Sequence, residues 1–179
     1  MTDEQVMLEV SKGNLSQATV LFERYSKHLY NFFVRLTYDR DLSQDMTQTV
    51  FERMLKYRNS FKYGKTFKSW IFQIARNVKN DYYQKEQKKF SQFTDIDSIQ
   101  VEISSQSDDG EQQTQEKHLE QAMLRLDSEQ REILVLSKYQ EMKYEEIAET
   151  LDCSVANVKV KVHRAIKKLR TLYFMVEQS

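Results

Sequence analysis

FKSWIFQIARNVKND, residues 67–81, falls into two faces when its residues are set about 100° apart around a helix. Phe67, Ile71, Ile74, Ala75, Val78 and, just beyond, Tyr82 share one side, with Trp70 at its edge. Ser69, Phe72, Gln73, Arg76, Lys79, Asn80 and Tyr83 lie opposite. The first side is a core stripe. The second mixes cations, amides and aromatic rings, a mixture that suits unpaired nucleic acid: Arg and Lys hold phosphates, rings stack on bases, amides meet base edges. A helix with a merely solvated outer face has the same period, so the stretch alone leaves both readings open.

Outward from this stretch, composition argues for helices. The 179 residues contain no proline and three glycines, Gly13, Gly64 and Gly110, each at a break between periodic segments. A fold of many strands needs more turn residues than that, and the length accommodates one or two small domains. Net charge is zero, but its distribution is uneven. Arg53 to Lys88 carries ten Lys or Arg against two acids, Lys89 to His118 carries two Lys against seven acids, and Val155 to Leu172 carries six Lys or Arg and no acid. Two basic blocks on amphipathic helices, separated by an acidic stretch, fit contact with nucleic acid.

Cys153 is the only cysteine. That rules out an internal disulfide, disfavours a cysteine-based zinc site and fits a small buried apolar side chain in a reducing compartment. The N-terminus lacks a signal-peptide pattern and no stretch has the length of a membrane span, so no membrane insertion and a cytoplasmic location are expected. There is no Gly-rich phosphate loop, nucleophile elbow or paired His and acid, and His28, His118 and His163 have no companions at ligand spacing. No enzyme activity, cofactor or metal is expected.

In chain order, Asp3 to Lys12 reads as a short helix ended by Gly13-Asn14, with Asn14 and Gln17 the expected cap of the next. Leu21, Tyr25, Leu29, Phe32 or Phe33, and Leu36 then mark a long helix to near Tyr38, with Phe22, Tyr30, Phe32 and Phe33 expected in the core. Asp41 or Ser43 is expected to cap a helix to about Tyr57, with an inner stripe of Leu42, Met46, Val50 and Met54. Its outer face carries Asp45, Gln48, Thr49 and Glu52. Arg58 to Thr66 breaks the period, and Lys62, Tyr63 and Lys65 surround Gly64 in a basic, aromatic loop. Past Gln84 the pattern fades. Residues 89–117 read as a flexible acidic linker between a first domain, 1–88, and a second, 118–179.

In the second domain Asp127 is the expected cap of a helix with Gln130 closing the box, and the run Ile133 to Leu136 implies that this helix is buried. Tyr144 to Leu169 has helix-turn-helix spacing. Ala148 is small where two helices meet, Asp152 follows at a turn that favours left-handed backbone, and Val158 anchors the second helix. Val155, Val158, Val162, Ile166 and Leu169 form that helix's inner stripe. Asn157, Val160, Lys161, Arg164, Lys167 and Lys168 point outward, flanked by Lys159 and His163, as a surface for duplex DNA. Lys143 stands where a capping Ser or Thr is common.

Phe67, Trp70, Ile74, Ala75, Arg76, Asn77 and Asp81 match the pattern F-x-x-W-[LI]-x-x-I-A-R-N-x-x-x-D, so the opening stretch resembles the DNA-melting helix of bacterial RNA polymerase sigma factors of the extracytoplasmic-function (ECF) family. Asp45, Gln48 and Phe51 are similar to the family's D-L-x-Q-E-x-F segment, and Glu145 to Ala148 with Arg164, Ala165, Lys168 and Leu169 resemble its −35-reading domain. The resemblance implies an all-α protein of two small helical domains joined by a flexible acidic linker, the second a helix-turn-helix. It implies that Asp45, Gln48, Thr49 and Glu52 dock on the clamp helices of the large subunit of core RNA polymerase, with Thr49 standing where an acid is usual. Lys62, Tyr63, Lys65, Arg76, Asn77 and Asn80 would hold the melted −10 element, the loop trapping a flipped base. Asn157, Lys159, Val160, Lys161, His163, Arg164, Lys167 and Lys168 would read the −35 element of promoter DNA, and the same domain would bind the polymerase flap. The polymerase supplies the chemistry, and an anti-sigma factor is an expected partner. A stand-alone helix-turn-helix regulator would account for the C-terminal half but not for Phe67 to Asp81.

Overall fold

A computed structural model of the chain describes residues 1–92 and 110–179. They form α1 (Asp3–Ser11), α2 (Ala18–Thr37), α3 (Arg40–Lys56), α4 (Phe67–Gln92), α5 (Gly110–Arg125), α6 (Ser128–Leu134), α7 (Tyr144–Leu151) and α8 (Val155–Glu177), with no strand among the described residues. Short 3-10 turns occupy Leu15–Gln17 and Arg58–Ser60, and Val135–Tyr139 is π-helical, the Gln140 N–H reaching back to the Val135 carbonyl at 2.9 Å.

Local chemistry sets the helix starts, not always at the residues expected. α1 opens with a reciprocal capping box: Thr2 Oγ1 accepts from Gln5 N at 3.2 Å and Gln5 Oε1 accepts from Thr2 N at 2.8 Å. Asn14 makes no cap bond; its side chain accepts from Ser16 Oγ, and a 3-10 turn leads into α2. α3 is capped by Asp39, whose Oδ1 accepts from Leu42 N at 3.0 Å, and not by Asp41 or Ser43. Ser43 is buried inside the helix and donates to the Asp39 carbonyl, so it has no role at the terminus. Asp127 caps α6 by accepting from Gln130 N at 2.8 Å. Asp152 adopts the expected left-handed conformation, φ 53°.

α2, α3 and the first half of α4 pack around Leu29, Phe32, Phe33, Met54, Phe67 and Ile71, all essentially without exposure. Burying each such side chain is worth about 1.5–3 kcal/mol relative to leaving it in water. Phe22 departs from its expected core place: it is half exposed, its ring 4.8 Å from Phe51. In the C-terminal unit α8 lies against α5, α6 and α7, burying Val158, Val162 and Ala165.

The predicted linker 89–117 is helical at both ends, since α4 continues to Gln92 and α5 begins at Gly110. Lys, Gln and Glu are good helix formers, and a polar helix presents no apolar period to read. Residues 93–109, the middle of that stretch, lie outside the described residues.

The two helical units are not independent beads. Their buried apolar side chains form one continuous cluster. Hydrogen bonds cross between them from Lys68 Nζ to the Gln140 carbonyl (2.9 Å), from Ser69 Oγ to the Glu146 carbonyl (3.1 Å), from Gln140 Nε2 to the His28 carbonyl (3.1 Å) and from Arg131 Nη1 to the Leu36 carbonyl (3.1 Å). The Arg35 guanidinium lies 3.6 Å over the Tyr139 ring.

Candidate nucleic-acid interface

α4 owes its start to two acceptors. Thr66 Oγ1 accepts from Ser69 N at 3.2 Å, and the Glu4 carboxylate of α1 accepts from Phe67 N at 2.8 Å. α1 is itself fixed to α2: Asp3 accepts from the Tyr25 hydroxyl at 2.5 Å and pairs with Arg24 at 2.6 Å. Burial, and next the bond to Asp3, holds the Tyr25 hydroxyl far above the usual phenol range. Asp81 pairs with Arg53 of α3 at 2.7 Å, and Trp70 packs edge-on to Phe61, centroids 5.2 Å apart. The helix that would meet melted DNA is thus braced at its start, its middle and its core side.

Lys62, Tyr63 and Lys65 stand exposed in the loop before α4, Tyr63 at 90% of its maximum, and Gly64 there has φ 98°. Beneath them opens a cavity of about 460 Å³ lined by Thr2, Glu4, Gln5, Leu8, Phe61, Tyr63, Gly64, Lys65 and Thr66. The part played here by α1 was missed from sequence, because Glu4 and Gln5 read only as the polar side of a short helix. Asn77 and Asn80 are exposed on α4.

The remainder of that outer face departs from expectation. Ser69 and Lys79 are buried beneath the C-terminal unit, Phe72 is buried edge-on to Phe32 of α2 with centroids 5.3 Å apart, and Arg76 and Lys79 both donate to the Glu132 carboxylate of α6. Helical period separates the two sides of a helix but does not say what covers the second, and here another helical layer does. Burial also raises the Tyr83 hydroxyl.

On α3, Asp45, Gln48 and Glu52 are exposed, and Gln48 Nε2 donates to Glu52 at 3.4 Å. Thr49 is half-buried and turns its hydroxyl back to the Asp45 carbonyl at 3.0 Å, so it offers little to a partner. Next to this face lies a groove of about 710 Å³ between α2 and α3, where Phe22, Lys27 and Tyr30 meet Gln44 and Gln48. Phe22 sits one position off the apolar stripe begun by Leu21, which is the signal that would have moved it from core to surface.

α8 is capped by Ser154, which accepts from Asn157 N at 3.1 Å. Asn157, Lys159, Val160, His163, Arg164, Lys167 and Lys168 are all exposed. Lys161 is the exception: half-buried, it lines a small cleft with Arg76, Glu129 and Glu132 rather than the outer face. Lys159, Arg164, Lys167 and Lys168 form no ion pair with any described acid, so a strip of uncompensated positive charge flanks the exposed Val160. Such a strip on the second helix of a helix-turn-helix has the dimensions and charge for a major groove. Among the described residues no three His, Cys, Asp or Glu side chains gather as a metal site, and no helix is long and apolar enough to cross a membrane.

Comparison with known proteins agrees with this geometry. The Sigma-70 region 2 family matches residues 21–89 and the Sigma-70, region 4 family matches residues 117–169. The ECF RNA polymerase sigma factor SigM of Bacillus subtilis is 30% identical over 153 residues, covering 86% of this chain and 93% of the relative. RNA polymerase sigma factor YlaC of the same organism is 29% identical over 154 residues, covering 84% and 88%. Among solved structures, CnrH in complex with the cytosolic domain of CnrY superposes with a TM-score of 0.71 at 20% identity, covering 95% of this chain and 96% of that one. The sigma factor RpoE of Bartonella quintana, in complex with the anti-sigma factor NepR, gives 0.63 at 22% identity, covering 86% and 94%. With both halves matched in order and nearly full-length relatives at this identity, the chain belongs to the extracytoplasmic-function family of RNA polymerase sigma factors.

Proposed function

We propose that this sigma factor, which binds core RNA polymerase and directs promoter recognition and transcription initiation, divides the work among three surfaces. Asp45, Gln48 and Glu52, with Thr49 at their edge, form the docking face for the clamp helices of the large polymerase subunit. Lys62, Tyr63 and Lys65, with Arg76, Asn77 and Asn80, hold the melted −10 strand, the exposed Tyr63 ring serving as a stacking platform. Asn157, Lys159, Val160, His163, Arg164, Lys167 and Lys168 read the −35 duplex, with Lys161 joining only when the two units part. The same C-terminal unit meets the polymerase flap. The chain supplies recognition and the polymerase the chemistry, so it acts without catalysis of its own, in the cytoplasm, under control of an anti-sigma factor. The two domains are residues 1–88 and 118–179, joined by the acidic stretch 89–117.

The uncompensated cationic strip on α8 carries this reading. Arg engages guanine through two parallel bonds, whereas Lys is a point charge that mostly holds phosphate. Arg164 and Val160 therefore specify sequence, and Lys167 and Lys168 add salt-sensitive affinity. Binding of the polymerase holoenzyme to a library of −35 variants at several salt concentrations is the test. Arg164→Ala is expected to cost about 1–3 kcal/mol and relax one base preference, and Lys168→Ala to weaken all sites alike and lower the salt slope by about one. A uniform loss for Arg164→Ala together with altered preference for Lys168→Ala would refute it.

A further inference from the structure

We infer that α1 selects the base held by the loop before α4: in the cavity beneath Tyr63, the second oxygen of the Glu4 carboxylate accepts from the amino group of adenine, cytosine or guanine, and thymine is rejected. The inference rests on the proposed role of Lys62, Tyr63 and Lys65 in holding the −10 strand.

The cavity has the parts that hold one unstacked base. Its volume of about 460 Å³ falls within the ordinary range of ligand pockets. Leu8 and Phe61 form its apolar side, and Phe61 is itself fixed edge-on to Trp70. Tyr63, 90% exposed, is free to stack on a base from the outside. Lys62 and Lys65 are exposed beside it and pair with no described acid, so both can meet the phosphates that flank the base. No residue of the C-terminal unit lines this cavity, so it is open to a strand in the present conformation.

The polar edge comes from α1. Asp3 ties this helix to α2 through Arg24 and Tyr25, which fixes Glu4 over the start of α4. Glu4 Oε1 accepts from Phe67 N at 2.8 Å, while Oε2 makes no hydrogen bond to a described residue. A helix cap needs one acceptor, and a neutral amide supplies it as well. The half-buried carboxylate therefore keeps acceptor capacity inside the cavity that no other residue fills. An ionised carboxylate only accepts. Unpaired adenine and cytosine present it with an amino group, and guanine with an amino group beside a ring N–H. Thymine offers a single N–H between two carbonyl oxygens, and those oxygens are repelled. Asn77 and Asn80 stand about 16 and 21 Å beyond Thr66 along α4, at about 1.5 Å per residue, so they meet other nucleotides. The choice made by α1 is thus confined to one position of the strand.

Holoenzyme assembled from core RNA polymerase and the full-length chain tests this on duplexes with a short premelted bubble randomised on the non-template strand, the bound DNA being sequenced. The parent is expected to deplete thymine about tenfold at one bubble position, the lower end of what a hydrogen bond to a charged group is worth. Glu4→Gln keeps an acceptor for Phe67 N but offers the base an N–H donor, so thymine should recover at that position by a similar factor while the other positions keep their preferences. Leu8→Phe fills the cavity from α1 without touching the cap and should flatten the preference at the same position. Far-UV circular dichroism establishes that each variant is folded; should Glu4→Gln unfold, Leu8→Phe decides. Tyr63→Ala reports on the loop itself and should weaken bubble binding. A parent with no thymine depletion at any bubble position overturns the selection. If Tyr63→Ala weakens binding but neither α1 variant alters any preference, the loop holds a base that α1 does not read, which also overturns it. If Tyr63→Ala changes nothing, the loop is not a base site, and the inference falls with that reading.

Discussion

Arg131 is the residue whose loss should do most damage to the C-terminal unit, although it makes no ion pair with a described acid. Its guanidinium serves only carbonyl oxygens: Nε donates to Met123 at 2.9 Å, Nη2 to Leu124 at 2.7 Å and Leu126 at 3.1 Å, and Nη1 to Leu36 at 3.1 Å. Met123 and Leu124 lie in the last turn of α5 and Leu126 just past it, while Leu36 lies in the last turn of α2. These are helix ends, where carbonyls lack intrahelical partners and the dipole favours a cation. One side chain therefore finishes two helices, one from each unit. Hydrogen bonds to a charged group are worth about 1.5–3 kcal/mol each. Arg131 is only half-buried, so water will recover part of that for the freed carbonyls. We expect Arg131→Met, which keeps the alkyl volume, to cost about 3–4 kcal/mol. Arg131→Lys should lose about half as much, since a compact ammonium cannot reach four divergent acceptors. Urea unfolding followed by far-UV circular dichroism measures both, the slope of the transition reporting whether the unfolded state has changed. A loss below about 1 kcal/mol for Arg131→Met, or a Lys variant as stable as the parent, would mean that water already satisfies these carbonyls and that the reasoning is wrong.

Glu4→Ala should destabilise the first unit by about 0.5–2 kcal/mol through loss of a helix cap, whereas Glu4→Gln keeps an acceptor and should cost less; thermal melts of both variants separate the cap from the charge. Asp152 and Glu141 both hold left-handed backbone, at φ 53° and 51°; glycine should stabilise the chain at either position by up to about 1 kcal/mol, and more at Glu141, because Asp tolerates that conformation better. Burial pushes the Tyr38 hydroxyl up to about 12 and raises Tyr25 still further. A phenol raised on folding leaves stability unaffected below about pH 10 and costs stability as pH climbs from there through its folded value. The melting temperature should accordingly hold level up to that pH and then fall, less steeply for Tyr38→Phe, and an equal decline for parent and variant would exclude Tyr38 as a cause.

Individual helices were legible in the sequence where an apolar period met a chemical full stop. α2 was found from Leu21 to Leu36, α8 from its valine stripe, and the turn at Asp152 from the spacing of Ala148 and Val158. The exposed side chains of the loop and of α8 were legible for the same reason, since they are what the stripes leave over. Three things were not. Glu4 caps α4 from far away in sequence, and no local pattern marks such a bond. The ends of the 89–117 stretch are helical without amphipathicity. And the outer side of α4 has a period that is the same whether water, DNA or another helix lies against it, so the burial of Phe72 and Lys79 followed from tertiary packing that periodicity does not encode.

The π-helical segment Val135–Tyr139 has a consequence of its own. A π-turn holds one residue more than an α-turn, so everything after it is rotated by roughly 100° relative to an unbroken helix. Gln140 emerges from that rotation with its carbonyl toward Lys68 and its amide toward His28, while its Oε1 is buried without a partner. The mating of the two halves thus depends on an angular phase as well as on the side chains that meet across it. Removing one residue from the segment would give a more regular helix and a mistimed one, like a gear advanced by a tooth. Substitutions in this segment adjust the fit, but a change of length there resets it.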